Sequence, residues 1–291
     1  MIKKIAGSPW LHAVLVLVFE LAAFTIMNPA RFERFVSLLP IRHYDDFLLV
    51  YYLGVVVNCL FAVTIFAVWR ALSKRKRPRA VSLSGTSWMV AVALLISTLT
   101  FIRGVPATLI DSGSISSKIA GAAIQVVGSW SAYYLIAAIS EEIYARGMIL
   151  TILAERGAFV SVLFSSMLFG LVHIANFLTR TMAASAVGTQ VVQGMLFGIG
   201  AGVLKLRGGP LIWVIIVHAL WNLFTDIGNT IFFMDPSQSI LSSVSMSTYL
   251  LLDWLPYLLF GGFGLAVLFM TKWPDHKNIG ISEEARETAQ G

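Results

Sequence analysis

The sequence predicts an all-α polytopic transmembrane bundle of about eight spanning helices, and three observations predict it. Of 291 residues, 57% are hydrophobic and only 12% charged. The mean hydropathy is +0.81, outside the range of ordinary soluble domains. Apolar runs long enough to cross about 30 Å of hydrocarbon recur along almost the whole chain, near 10–27, 47–69, 87–103, 119–140, 158–178, 185–204, 211–227 and 249–270. They do not alternate polar and apolar residues as barrel strands would, so each is read as a helix that satisfies its own backbone.

Taken in order, the first run is about 18 residues long. It contains Glu20 and no clear small-residue cleavage site follows it, so a retained signal anchor is expected rather than a cleaved signal. The second holds the lone cysteine, Cys59, which excludes an intrachain disulfide. It is followed by the basic cluster Arg70, Lys74, Arg75, Lys76, Arg77 and Arg79. A juxtamembrane cluster of this kind points to anionic lipid near 70–79 on the cytoplasmic side, and no nucleic-acid partner is expected. In alternate loops, one side carries more than twice the Lys and Arg of the other. Both termini are therefore expected in the cytoplasm of a multi-pass plasma-membrane protein, in a prokaryotic cell. The third run is short and ends at Arg103.

The fourth run leads into "SEEIYARGMIL". Glu142 and Arg146 stand four apart on one helix face and can pair, whereas Glu141 points about 100° away and is left for other work. Two adjacent carboxylates in a low-dielectric bundle cannot both ionise cheaply, so the arginine is expected to hold one, leaving the other as a candidate general base. The fifth run carries Phe169 and His173 four apart. In the sixth, Gly194, Gly198 and Gly202 line one face for close helix packing. The seventh carries His218 and Asn222, again four apart. The last contains Asp253, Pro256, Gly261 and Gly262 and suggests a kink, and a polar tail follows from Thr271.

Depth constrains the fourth helix. If the fifth helix starts at Ala158, His173 lies about 22 Å along it. Glu141 can reach that level only if the fourth helix continues to about Ala154, and one long helix is expected.

Ionisable side chains inside a span are functional-site candidates by default. Base, orienting cation and oxyanion donors, spread over three helices, are the ingredients of a hydrolytic site. Alternatives from other classes are a non-proteolytic scaffold, in which the polar residues only fix packing, and a proton-coupled transporter using Glu20, Glu142 and Asp253. The transporter lacks support from any inverted repeat.

The three segments, Glu-Glu-x-x-x-Arg, Phe-x-x-x-His and His-x-x-x-Asn, resemble the motif set of the CAAX-protease and bacteriocin-processing family, the Rce1-like intramembrane glutamate proteases. The resemblance covers about residues 121–229. It implies peptide-bond hydrolysis of a peptide or protein substrate at the membrane, with Glu141 and His173 activating water. His218 and Asn222 would supply the oxyanion hole, and Glu142 and Arg146 would hold geometry and charge. A bacteriocin-immunity protein of the same fold is the non-enzymatic alternative. No cofactor is expected, because His-Glu-x-x-His is absent and Asn222 is a poor metal ligand. The competing version is a zinc site of Glu142, His173 and His218. Three regions are expected: 1–80 with two helices and the basic loop, 81–229 as the protease core, and 230–291 with the last span and tail.

Overall fold

A computed structural model describes residues 8–26, 44–72, 87–102, 115–178, 182–207, 209–233, 246–271 and 273. The basic residues 74–79, Arg103 and nearly all of the polar tail lie outside the described residues. Every expected run carries a helix, and no strand occurs among the described residues. The fold is an all-α helical bundle.

The helices are α1 (Pro9–Ile26), α2 (Tyr44–Leu72), α3 (Ser87–Ile102), α4 (Ile115–Glu142), α5 (Leu150–Leu153), α6 (Ala158–Val172), α7 (Ile174–Leu178), α8 (Ala184–Leu206), α9 (Leu211–Phe233) and α10 (Met246–Met270). By length and composition, Ala158–Leu178, Ala184–Leu206 and Asp253–Met270 can cross a membrane. The remaining apolar helices are shorter over their described parts.

The radial distribution of side chains is that of a membrane protein. Leu60, Leu95, Phe269 and Met270 are exposed, while Glu20, Glu142, Arg146, Ser161, Ser165 and Ser166 are buried. Lipid rather than water suits such a surface, and polar groups in such a protein turn inward. The buried serines satisfy their own helix: Ser161 donates to the Gly157 and Ala158 carbonyls, and Ser165 and Ser166 to that of Val162.

α4 does not stop at Glu142. It continues without a break through a π-helical segment, Ile143–Ile149, then α5 and a 3-10 turn, Ala154–Arg156. The expected continuation to about Ala154 is therefore present, with a change of winding that the sequence did not announce. The wider winding shows in its bonds. Leu150 N–H donates to the Ala145 carbonyl five residues back, and Thr151 Oγ1 to that of Arg146. All seven π-helical residues are buried, enclosed by α1, α2 and α6. Gly157, with φ 97°, then turns the chain into α6 in a conformation that favours glycine.

α4 packs on α2 and α9, α6 on α8, α8 on α10, and α3 on α9 and α10. The glycine stripe of α8 fits its expected role. A Cβ at Gly194 would meet the Gly170 Cα at 3.3 Å, and one at Gly198 would lie 2.9 Å from the Ser166 Cα. At Gly202 the nearest atom is a Val162 methyl at 3.4 Å. On the neighbouring face, a Cβ at Gly264 of α10 would lie 2.9 Å from the Gly200 Cα, so its glycines serve close approach between helices. Gly198→Ala is expected to lower stability by about 1–3 kcal/mol, because backbone rather than a flexible tip blocks the methyl. Gly202→Ala should be neutral or slightly stabilising, since alanine favours helix. Thermal unfolding in detergent compares the two.

Candidate active site

Two apolar clusters enclose the polar centre. One is built from α3, α6, α8, α9 and α10 and includes Phe169, Phe197, Trp221 and Phe260. The other, with Ala13, Val16, Ala62, Ile143, Tyr144 and Ile149, joins α1 and α2 to the π-helical turn.

Arg146 is fully buried in the π-helical turn. Its Nη1 donates to Oε1 of Glu142 at 2.9 Å, so the ion pair expected from the four-residue spacing is formed. The same Oε1 accepts a second bond, 2.8 Å long, from Nδ1 of His218 on α9. Arg146, Glu142 and His218 thus form one continuous chain. Because a carboxylate only accepts, Nδ1 of His218 must carry its hydrogen, which fixes the ring. His218 Nε2 lies 3.7 Å from Oε2 of Glu141, longer than a hydrogen bond. The Glu141 side chain is 17% exposed and that of Glu142 0%, which separates a reachable carboxylate from an enclosed one.

His173 occupies a break in the expected fifth helix. The run 158–178 is α6 and α7, interrupted at His173, whose N–H donates to Gly170 three residues back. The ring takes up the carbonyl left over: Nδ1 lies 3.1 Å from the Phe169 oxygen and 3.3 Å from that of Gly170. A carbonyl accepts, so Nδ1 is the donor, and the lone pair of the neutral ring is on Nε2. His173 is within electrostatic reach of Glu141 and His218.

Phe169 is the hinge of the arrangement. Its ring stands edge-to-face with His173 at 5.4 Å and with His218 at 5.8 Å. The Arg146 guanidinium lies 4.2 Å from its centroid. The three motif segments therefore converge on one aromatic ring. Asn222 is half-buried one turn beyond His218 on the same helix. Phe197 of α8 forms a second wall, 4.8 Å from His218, and Trp221 packs behind it. Neither residue stands out in the sequence, where a large apolar residue in a spanning run has nothing to distinguish it.

The two acids left over from the motifs part company. Asp253 accepts a 2.8 Å bond from Gln193 of α8, whereas Glu20 of α1 is buried within electrostatic reach of Glu141, Glu142 and Arg146. Among the described residues, no three His, Cys, Asp or Glu side chains are grouped so as to hold a metal ion. In particular, Glu142 Oε1 is already engaged by Arg146 and His218.

A buried arginine, glutamate and imidazole in one bonded chain, beside a second and more reachable glutamate, are components that a hydrolytic site can use. Residues 123–224 match the family model Rce1-like, described as Type II CAAX prenyl endopeptidase Rce1-like. The matched span covers about a third of the chain and holds all three motifs. No curated protein and no solved structure matches the chain.

Proposed function

We propose that the protein is an intramembrane endopeptidase in which Glu141 and His173 activate a water molecule for attack on a peptide bond. The observation that carries this reading is the placement of His173 and His218 against Phe169, with Glu141 3.7 Å from His218 Nε2 and with Glu142 and Arg146 fully enclosed. Glu141 has no short structural bond to His218, so its carboxylate is available to take a proton from water. His173, donating through Nδ1, offers Nε2 as a second acceptor. As the tetrahedral intermediate forms, its oxyanion needs preorganised donors, and His218 and Asn222 fill that role. Protonated on Nε2 as well as Nδ1, His218 would be an imidazolium. The Glu142 carboxylate on its Nδ1 stabilises that charge and orients the ring, while Arg146 holds Glu142 in place. The proton gained by Glu141 or His173 then passes to the leaving amine.

The same reading takes a peptide or membrane protein as substrate and needs no metal. It places the chain in a plasma membrane with both termini cytoplasmic. A family of CAAX endopeptidases makes a lipidated C-terminal peptide the first substrate to try. The test compares membrane fractions of cells carrying the wild-type chain and His173→Ala by peptide mass spectrometry, alongside cleavage of a farnesylated CAAX peptide by purified protein in nanodiscs. Fragments and cleavage should vanish in the variant, and activity should survive chelation with less than one zinc per chain. Identical peptide sets in the two cell lines would favour a scaffold, and stoichiometric zinc whose removal stops cleavage would overturn the metal-free route.

A further inference from the structure

Glu20 enters the site from α1, outside the span that matches the family. It is 3% exposed, and neither carboxylate oxygen has a hydrogen-bond partner. The same enclosed region holds orphaned donors: Nε and Nη2 of Arg146, with the second oxygen of Glu142 and the Tyr144 hydroxyl also unmatched. Glu20 is within electrostatic reach of Glu141, Arg146 and Glu142. Arg146 is in turn within electrostatic reach of Glu142, Glu20 and Glu141. Tyr144, in the same π-helical turn, also feels Glu20.

Unmatched buried acceptors on α1, which packs against the π-helical turn, are therefore within electrostatic reach of unmatched buried donors on that turn. Leaving both sets unpaired is costly, whereas polar groups that share an enclosed space pair directly or through ordered water. We propose that Glu20 is the second acidic partner of Arg146, engaging the guanidinium nitrogens that Glu142 does not use. It acts as a positioning residue. With Glu142 on Nη1 and Glu20 on the remaining nitrogens, the guanidinium is fixed over Phe169, Glu142 is fixed by the guanidinium, and His218 is fixed by Glu142. The N-terminal helix thereby completes a site whose recognisable motifs all lie elsewhere in the chain. This role rests on the endopeptidase reading for its consequence in catalysis, but the pairing itself does not.

The experiment uses the full chain in nanodiscs with isotopically labelled arginine. The infrared guanidinium band of Arg146 is assigned by its loss in Arg146→Lys and then read in Glu20→Gln. The pairing requires that band to move. Cleavage of a farnesylated CAAX peptide should show kcat about tenfold lower in Glu20→Gln with KM nearly unchanged, and partial recovery in Glu20→Asp. A structural role alone would leave the band in place. If Glu20→Gln is not recovered folded, Glu20→Asp serves for the same band, because a shortened carboxylate must also displace it. An unmoved Arg146 band overturns the proposal, whether or not the peptide is cleaved. A moved band in a chain that cleaves no peptide supports the pairing and counts against the endopeptidase reading alone.

Discussion

Glu141→Gln is expected to lower the rate of peptide cleavage by about three orders of magnitude, the middle of the range for removing a positioned general base. Stability should scarcely change, and the reason is geometric. Glu141 Oε2 is 3.7 Å from His218 Nε2, so no short bond is lost, and the side chain retains 17% exposure. Glutamine keeps the shape and removes the basic oxygen. The check is kcat on a lipidated peptide together with thermal unfolding of the same preparation. A variant that unfolds normally and keeps more than a tenth of the activity would remove Glu141 from the role of base.

Glu142→Ala should act in the opposite way, through the fold. Both members of the Glu142–Arg146 pair are fully buried, and Glu142 Oε1 also holds His218. Removing one partner of such a pair strands a charge, at a cost of about 3–5 kcal/mol. Loss of activity is expected with a large drop in unfolding temperature. The double variant Glu142→Leu, Arg146→Met removes both charges and should regain much of the stability, because apolar replacements of a buried pair are often tolerated. Activity should not return, since His218 would have lost the acceptor that orients it. Recovery of cleavage in the double variant would mean that the Arg146–Glu142–His218 chain has no part in the reaction.

Contacts within one helix were legible in the sequence, because four-residue spacing fixes a shared face. Glu142 with Arg146 is the clearest case, and the glycine stripe on α8 is another. Contacts between helices were only partly legible. The motifs indicated that His218 should approach the glutamates, but not that its Nδ1 would bind Glu142, 76 residues away, while Nε2 faced Glu141. That choice depends on how α9 is rotated against α4, which no local pattern encodes. Glu20 was visible as an anomaly in an apolar run, yet its destination depends on α1 packing against the π-helical turn. The break at His173 was hidden as well, since the residues from Ala158 to Leu178 read as one uninterrupted apolar helix.

The π-helical turn holds one residue of slack in the fourth helix. A π winding accommodates about one more residue than an α-helix does over the same rise. If the segment rewound to ordinary pitch with every residue kept, the part of α4 that bears Glu141 would swing by about 100° relative to α5, whereas deleting one residue from Gly147 to Ile149 would let it rewind with the two flanks still in register. The wider winding therefore keeps the reacting carboxylate aimed at its present neighbour.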